Sequence, residues 1–154
     1  MVHSNELLQR WNSLSKRPGG AWLFSRMIGL KARYSGTIRP FVRELAPGRC
    51  HIEMRDRPAV RNHLRSVHAI ALMNLGEIAS GLATLTCLAP DRRGIVTNLA
   101  MSYEKKARGT ILARAEFQPP EDTHDGPFTA VAELFDAGGE RVAVATAEWT
   151  LGPR

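Results

Sequence analysis

Val67-His68-Ala69-Ile70-Ala71-Leu72-Met73-Asn74-Leu75-Gly76-Glu77-Ile78-Ala79-Ser80-Gly81-Leu82-Ala83-Thr84-Leu85 is the stretch that decides the fold. Its apolar residues fall on every side of a helical wheel rather than on one stripe. A helix that is apolar all round is a buried helix. At 1.5 Å per residue it would run about 28 Å. Gly76 and Gly81 weaken the helix but let another backbone approach it closely.

On either side the pattern changes to extended chain. Residues 37–45 read as a strand that Pro40 confines to an edge or a bulge. Pro47-Gly48 turns the chain. Residues 49–55 then alternate, with Cys50, Ile52 and Met54 on one face and Arg49, His51, Glu53 and Arg55 on the other. After Pro90 four β-rich runs follow, at 95–106, 110–117, 128–135 and 141–151. Residues 136–140 join the last two as a hairpin, and 119–127 form a long loop. Ahead of all this, residues 4–16 carry apolar side chains at helical spacing with Ser4 as the N-cap, and 21–30 form a second short helix.

Successive hairpins make the sheet antiparallel. Two strands, one buried helix and about four more strands give an α+β arrangement, a sheet of five to six strands wrapped around a helix. That is the hotdog fold, here with short N-terminal helices. Residues 1–33 are expected to form a helical segment packed on a hotdog domain spanning 34–154. One sheet cannot cover a helix that is apolar on all sides. A second copy of the chain is the simplest cover, so a homodimer, or a pair of dimers, is expected.

Composition narrows the class. The 154 residues (17.0 kDa) are 44% apolar and 23% charged, which argues for a folded globular chain. No apolar run reaches the ~20 residues of a membrane helix, and the N-terminus lacks a secretory pattern. Cys50 and Cys87 stand far apart without metal-like spacing. Together these features predict a reduced, cytoplasmic setting and no membrane partner. The charge is uneven: residues 1–65 hold 13 Lys and Arg against 4 Asp and Glu, whereas 66–154 hold 8 against 11. A basic half can meet nucleic acid, membrane phosphates or a phosphorylated cofactor, or it can be a solvated surface. Aromatic residues interleaved with the basic ones are sparse, which argues against nucleic acid.

The run Asn62-His63-Leu64-Arg65-Ser66-Val67-His68-Ala69, with the helix after it, resembles bacterial hotdog proteins of the PaaI-like thioesterase superfamily. The chain is most similar to an uncharacterised branch known as a domain of unknown function. That branch carries a similar Arg-Asn-His…Val-His-Ala run and a later run matching Tyr103-Glu104-Lys105-Lys106-Ala107-Arg108-Gly109. The resemblance extends from about Ile28 to the end of the chain. Active members place an Asn six residues before a His-Gly-Gly and an acid nine after that His. Here those offsets fall on Asn62, His68 and Glu77, while the two glycines are Ala69 and Ile70.

Glu77 also stands out on the residues alone, as the only charged residue between Arg65 and Asp91. A carboxylate on a buried helix is costly unless paired or neutralised, and burial raises its pKa toward that of a general base. Its helical neighbours Asn74, Ser80, Gly81 and Thr84 form a narrow polar stripe, as the wall of a ligand channel would. The alternative is a structural carboxylate hydrogen-bonded across a dimer interface. The resemblance implies an acyl-thioester hydrolase in which Glu77 acts on water or on the carbonyl. The Ala69 N–H would receive the oxyanion, with Asn62 and His68 orienting the substrate; no metal or redox cofactor is required. Lys105, Lys106 and Arg108 are candidate phosphate-binding cations, or else a solvated turn. Ile70 in place of glycine favours the rival reading, a non-catalytic module that holds an acyl or aromatic ligand or a partner protein.

Overall fold

The computed structural model describes residues 5–119 and 126–153. Three helices, α1 (Glu6–Leu14), α2 (Gly20–Lys31) and the four-residue α3 (Arg33–Gly36), precede strands β1 (Phe41–Ala46) and β2 (Arg49–Met54). A 3-10 turn (Pro58–Val60) leads to the central helix α4 (Ala69–Leu85). Then come β3 (Arg92–Tyr103), β4 (Ile111–Glu116), β5 (Gly126–Phe135) and β6 (Arg141–Pro153). All six strands pair antiparallel in one sheet, in the order β1-β2-β4-β5-β6-β3. β1 and β3 are therefore its two edges.

The expected alternation holds in β2: Cys50, Ile52 and Met54 have no exposed surface and face α4, while Arg49, His51 and Glu53 line the other face. Small residues dominate the facing surface of the later strands. Ala113, Ala115, Ala130, Ala132, Ala145 and Ala147 are all fully buried. Leu72, Leu75, Ile78 and Leu82 of α4 fill the space these alanines leave, so the core needs few aromatic rings. Contact is closest at Gly76, where an added Cβ would lie 2.5 Å from the Ala145 Cβ. Both atoms belong to rigid backbone elements and neither can swing aside. Gly76→Val is therefore expected to cost about 2–3 kcal/mol through overpacking. Thermal unfolding should show a Tm lower by about 6–10 °C.

Several boundaries differ from expectation. Ser4 lies outside the described residues, and Asn5 caps α1, its Oδ1 accepting from the Leu7 N–H at 3.0 Å. β1 starts at Phe41, after Pro40, because Arg39 takes a left-handed φ of 52° that no strand continues. β3 ends at Tyr103 rather than Lys106, since the N–H groups of Glu104 and Lys105 both turn onto the Val142 carbonyl. The long loop shrinks at its far end, where β5 begins at Gly126; residues 120–125 of it, His124 among them, lie outside the described residues. Gly48 turns β1 into β2 with φ 70°, and a Cβ there would stand 2.2 Å from the Phe117 carbonyl oxygen. Among the described residues no helix is long and apolar enough to cross a membrane.

Within one chain α4 is not covered all round. Ile70 is 52% exposed, Leu85 is also exposed, and Met73 and Glu77 are half-buried. Edge strand β3 likewise carries exposed apolar and aromatic side chains, Ile95 and Tyr103.

Candidate active site

His68 sets the start of α4. Its backbone is extended (φ −66°, ψ 140°), and its Nδ1 accepts from the Ile70 N–H at 3.1 Å. The imidazole is thus the N-cap, occupying the place usually taken by a Ser or Asp oxygen. A capping Nδ1 carries no proton, which puts the proton of the neutral ring on Nε2, facing outward. The next amide back, the Ala69 N–H, has no acceptor within the helix and stands at its positive end.

Asn62 holds the approach to this helix. Its Oδ1 accepts from the Leu64 N–H at 2.9 Å and from the N–H and hydroxyl of Ser66, both at 3.2 Å. These bonds close a tight loop in which Arg65 takes a φ of 58°. The side-chain oxygen is committed to the loop, and the amide N–H₂ is the end left to meet a ligand. Tyr103, at the end of edge strand β3, reaches over and donates to the Ala69 carbonyl at 2.9 Å. Burial pushes its phenol pKa up, so it stays a donor. Sequence reasoning assigned Tyr103 no role, because its approach to Ala69 follows from the β3–β6 register and from no local motif.

Glu77 lies about two and a half turns further along α4. It is half-buried, and desolvation raises its pKa above the ordinary carboxylate value. Its carboxyl group has no hydrogen-bond or ion-pair partner among the described residues. It lines a cavity of about 250 Å³ closed by Leu7 of α1, Ile28 of α2, Ile78 and Leu82 of α4, and Trp149 of β6. The N-terminal helices thus form one wall of the site.

The expected polar stripe divides. Gly81 lines the cavity, and the Trp149 ring sits 3.1 Å from where its Cβ would be. Asn74, Ser80 and Thr84 do not line it. Asn74 donates to the Tyr34 carbonyl at 3.4 Å, and the Ser80 hydroxyl donates to the Glu77 carbonyl at 2.9 Å. Thr84 is fully buried, its hydroxyl without a partner. Among the three basic residues of the turn, Lys105 pairs with Asp136 and Glu140, while Lys106 and Arg108 are exposed. Asn62, His68 and Ala69 do not reach the cavity of their own chain's Glu77.

A six-stranded antiparallel sheet packed on one long central helix is the hotdog fold. The chain belongs to the DUF4442 family, a domain of unknown function, whose pattern matches residues 20–151. No curated protein matches it. Among solved structures, a structural-genomics protein known by its target label APC5556 is 27% identical, with a TM-score of 0.82 over 97% of this chain and 98% of that one. A thioesterase family protein from Silicibacter pomeroyi is 19% identical, with a TM-score of 0.74 over 84% of this chain and 96% of that one. A variant of the phenylacetic acid degradation protein PaaI from Thermus thermophilus is 20% identical, with a TM-score of 0.66 over 77% and 97%. These last two show the shared fold.

Proposed function

We propose that the protein hydrolyses acyl thioesters, with Glu77 as its reacting carboxylate. The observation that carries this reading is the unpaired, half-buried carboxyl group of Glu77 at the wall of an apolar cavity. Glu77 takes a proton from water as the water oxygen attacks the thioester carbonyl carbon. The carbonyl oxygen becomes an oxyanion facing the Ala69 N–H at the positive end of α4, where negative charge is stabilised. Collapse of the tetrahedral intermediate expels the thiolate, which takes the proton back from Glu77 and leaves the free acid. Asn62, through its amide N–H₂, and His68, through Nε2–H, orient the carbonyl. A cavity of about 250 Å³ suits a short acyl chain or a single ring. Turnover of a panel of acyl-CoA thioesters, compared with a Glu77→Gln control, tests the reading. No turnover above the control defeats it.

The functional unit in this reading is a homodimer. Ile70 and Leu85 of α4 are exposed and β3 is an edge strand without a partner on its outer side; a second copy of the chain related by a two-fold axis is the proposed cover for both. Light scattering at micromolar concentration is expected to give twice 17.0 kDa. A species of 17.0 kDa would leave Glu77 without the Ala69 N–H that the mechanism needs.

One feature supports a second reading, in which the module binds an acyl or aromatic ligand without hydrolysing it. Ile70 stands beside the helix start with its side chain in the open, and its N–H is already taken by His68. Tighter binding of a free acid than of its thioester, without turnover, would favour that reading.

A further inference from the structure

The excess of basic residues in the first 65 positions is not spread evenly over the surface. Five arginines, Arg26 of α2, Arg33 of α3, Arg39, Arg55 and Arg57, converge on one groove of about 1090 Å³. The groove lies between α2–α3 and the β1–β2 end of the sheet, and shares no lining residue with the cavity beside Glu77. No carboxylate lines it. The two acids nearest in sequence are engaged elsewhere: Glu53 pairs with Arg43 at 2.7 Å, and Asp56 pairs with Arg61 at 2.6 Å and accepts from the Gly109 N–H.

The contrast with the other arginines is informative. Arg43, Arg49, Arg61 and Arg141 each hold a carboxylate. Among the described residues Arg26, Arg33, Arg39 and Arg55 have none. Arg57 is tethered through Nη2 to the Thr37 carbonyl, and its Nε is buried without a partner. Like charges gathered in one concavity repel one another, and that cost remains until an anion enters. The remaining lining is mostly apolar, and its two hydroxyl residues, Ser25 and Thr37, are bonded to backbone groups. On α2, Trp22, Arg26 and Leu30 follow one another at four-residue spacing along one face. Trp22 and Leu30 are 59% and 69% exposed at the groove's rim.

We infer that this groove binds a phosphate or diphosphate ester attached to an aromatic or apolar body. Guanidinium forks match phosphoryl oxygens in shape and charge. Five of them exceed what a single carboxylate would use, while Trp22, Leu30 and Phe41 offer a surface for the uncharged part. The groove is concave and bounded, which fits a small ligand better than an extended nucleic-acid backbone. This inference does not depend on the chemistry of Glu77.

Calorimetric titration with ADP and with adenosine, at about 0.15 M salt to suppress diffuse attraction, tests it. ADP is expected to bind, and adenosine at least about tenfold more weakly, because the charge-assisted bonds go to phosphate. Arg26→Gln/Arg55→Gln removes two exposed, unpaired side chains, so the fold is retained and ADP affinity should fall about tenfold or more. Lys16→Gln/Arg17→Gln lowers net charge equally on another surface and should leave affinity unchanged. Monomeric dihexanoyl phosphatidic acid is titrated in parallel. If it binds with the same arginine dependence and ADP does not, the phosphate belongs to a lipid headgroup. Binding of neither probe, or equal losses in the two double variants, overturns the inference.

Discussion

Glu77→Gln is expected to reduce acyl-thioester turnover by about 10²–10⁴-fold, the usual worth of a positioned general base. The amide keeps the shape of the side chain and its place at the cavity wall, but it can neither accept the proton of water nor attack a carbonyl. The same substitution should leave the fold intact and make it firmer at neutral pH. Glu77 has its pKa raised by burial, and Lys31, which lines the same cavity, forms no ion pair with it among the described residues. Below the ordinary carboxylate range, near pH 4.3, the folded and unfolded states both hold the proton and the wild type loses nothing. As pH rises through that range the unfolded chain ionises first. Stability then falls until the raised folded-state value is passed, and stays lower above it. Glutamine removes this loss, a gain of about 1 kcal/mol at most given the solvent on the open side of the residue. Melting curves of the two proteins should therefore separate above that window and coincide at low pH. Turnover should rise with pH over the same window, as the carboxylate form accumulates. A Glu77→Gln protein that melts well below the wild type at neutral pH would mark the carboxylate as a structural acceptor.

Much of this architecture was legible in the chain because it rests on local periodicity. Cys50, Ile52 and Met54 alternate with polar neighbours, and their burial follows. The all-round apolarity of residues 69–85 predicts a central helix, and Gly76 predicts a close approach, met by Ala145. Glu77 is visible as an isolated charge. What stayed hidden depends on tertiary register. Tyr103 meets Ala69 only because β3 pairs with β6, placing its end above the start of α4. Lys105 looks like a free phosphate ligand in the sequence, yet Asp136 and Glu140 reach it from a hairpin more than 30 residues away. Asn74, Ser80 and Thr84 share a helical stripe with Glu77, but the cavity opens on the Gly81 side and leaves them aside. The arginine groove was invisible for the same reason. Its members come from α2, α3, the left-handed turn before β1 and the exit from β2, and only the composition of the N-terminal half hinted at them.

Mixing two inactive variants, Glu77→Ala and Asn62→Asp, is expected to restore about a quarter of wild-type activity once subunits exchange. The geometry of α4 leads to this result. Nine residues separate His68 from Glu77, which on a helix is about 13.5 Å along the axis and half a turn around it. The cavity of Glu77 accordingly contains neither His68, Ala69 nor Asn62 of the same chain. A single thioester carbonyl cannot meet both groups within one subunit. Two α4 helices running antiparallel across a two-fold axis would bring Glu77 of one chain to the helix start of the other. Asn62→Asp is the better partner variant because the retained Oδ1 still accepts from Leu64 and Ser66, so the loop stays closed. What it loses is the amide N–H₂ that the substrate carbonyl needs. With random exchange half of the dimers are mixed. Each mixed dimer holds one site with intact Glu77 and Asn62 and one site lacking both, so one site in four works. If Asn62 and Glu77 served the same site within one chain, every site in the mixture would remain broken. Mixed dimers confirmed by native mass spectrometry that stay inactive would sink the shared site, given that both parent variants are folded and inactive.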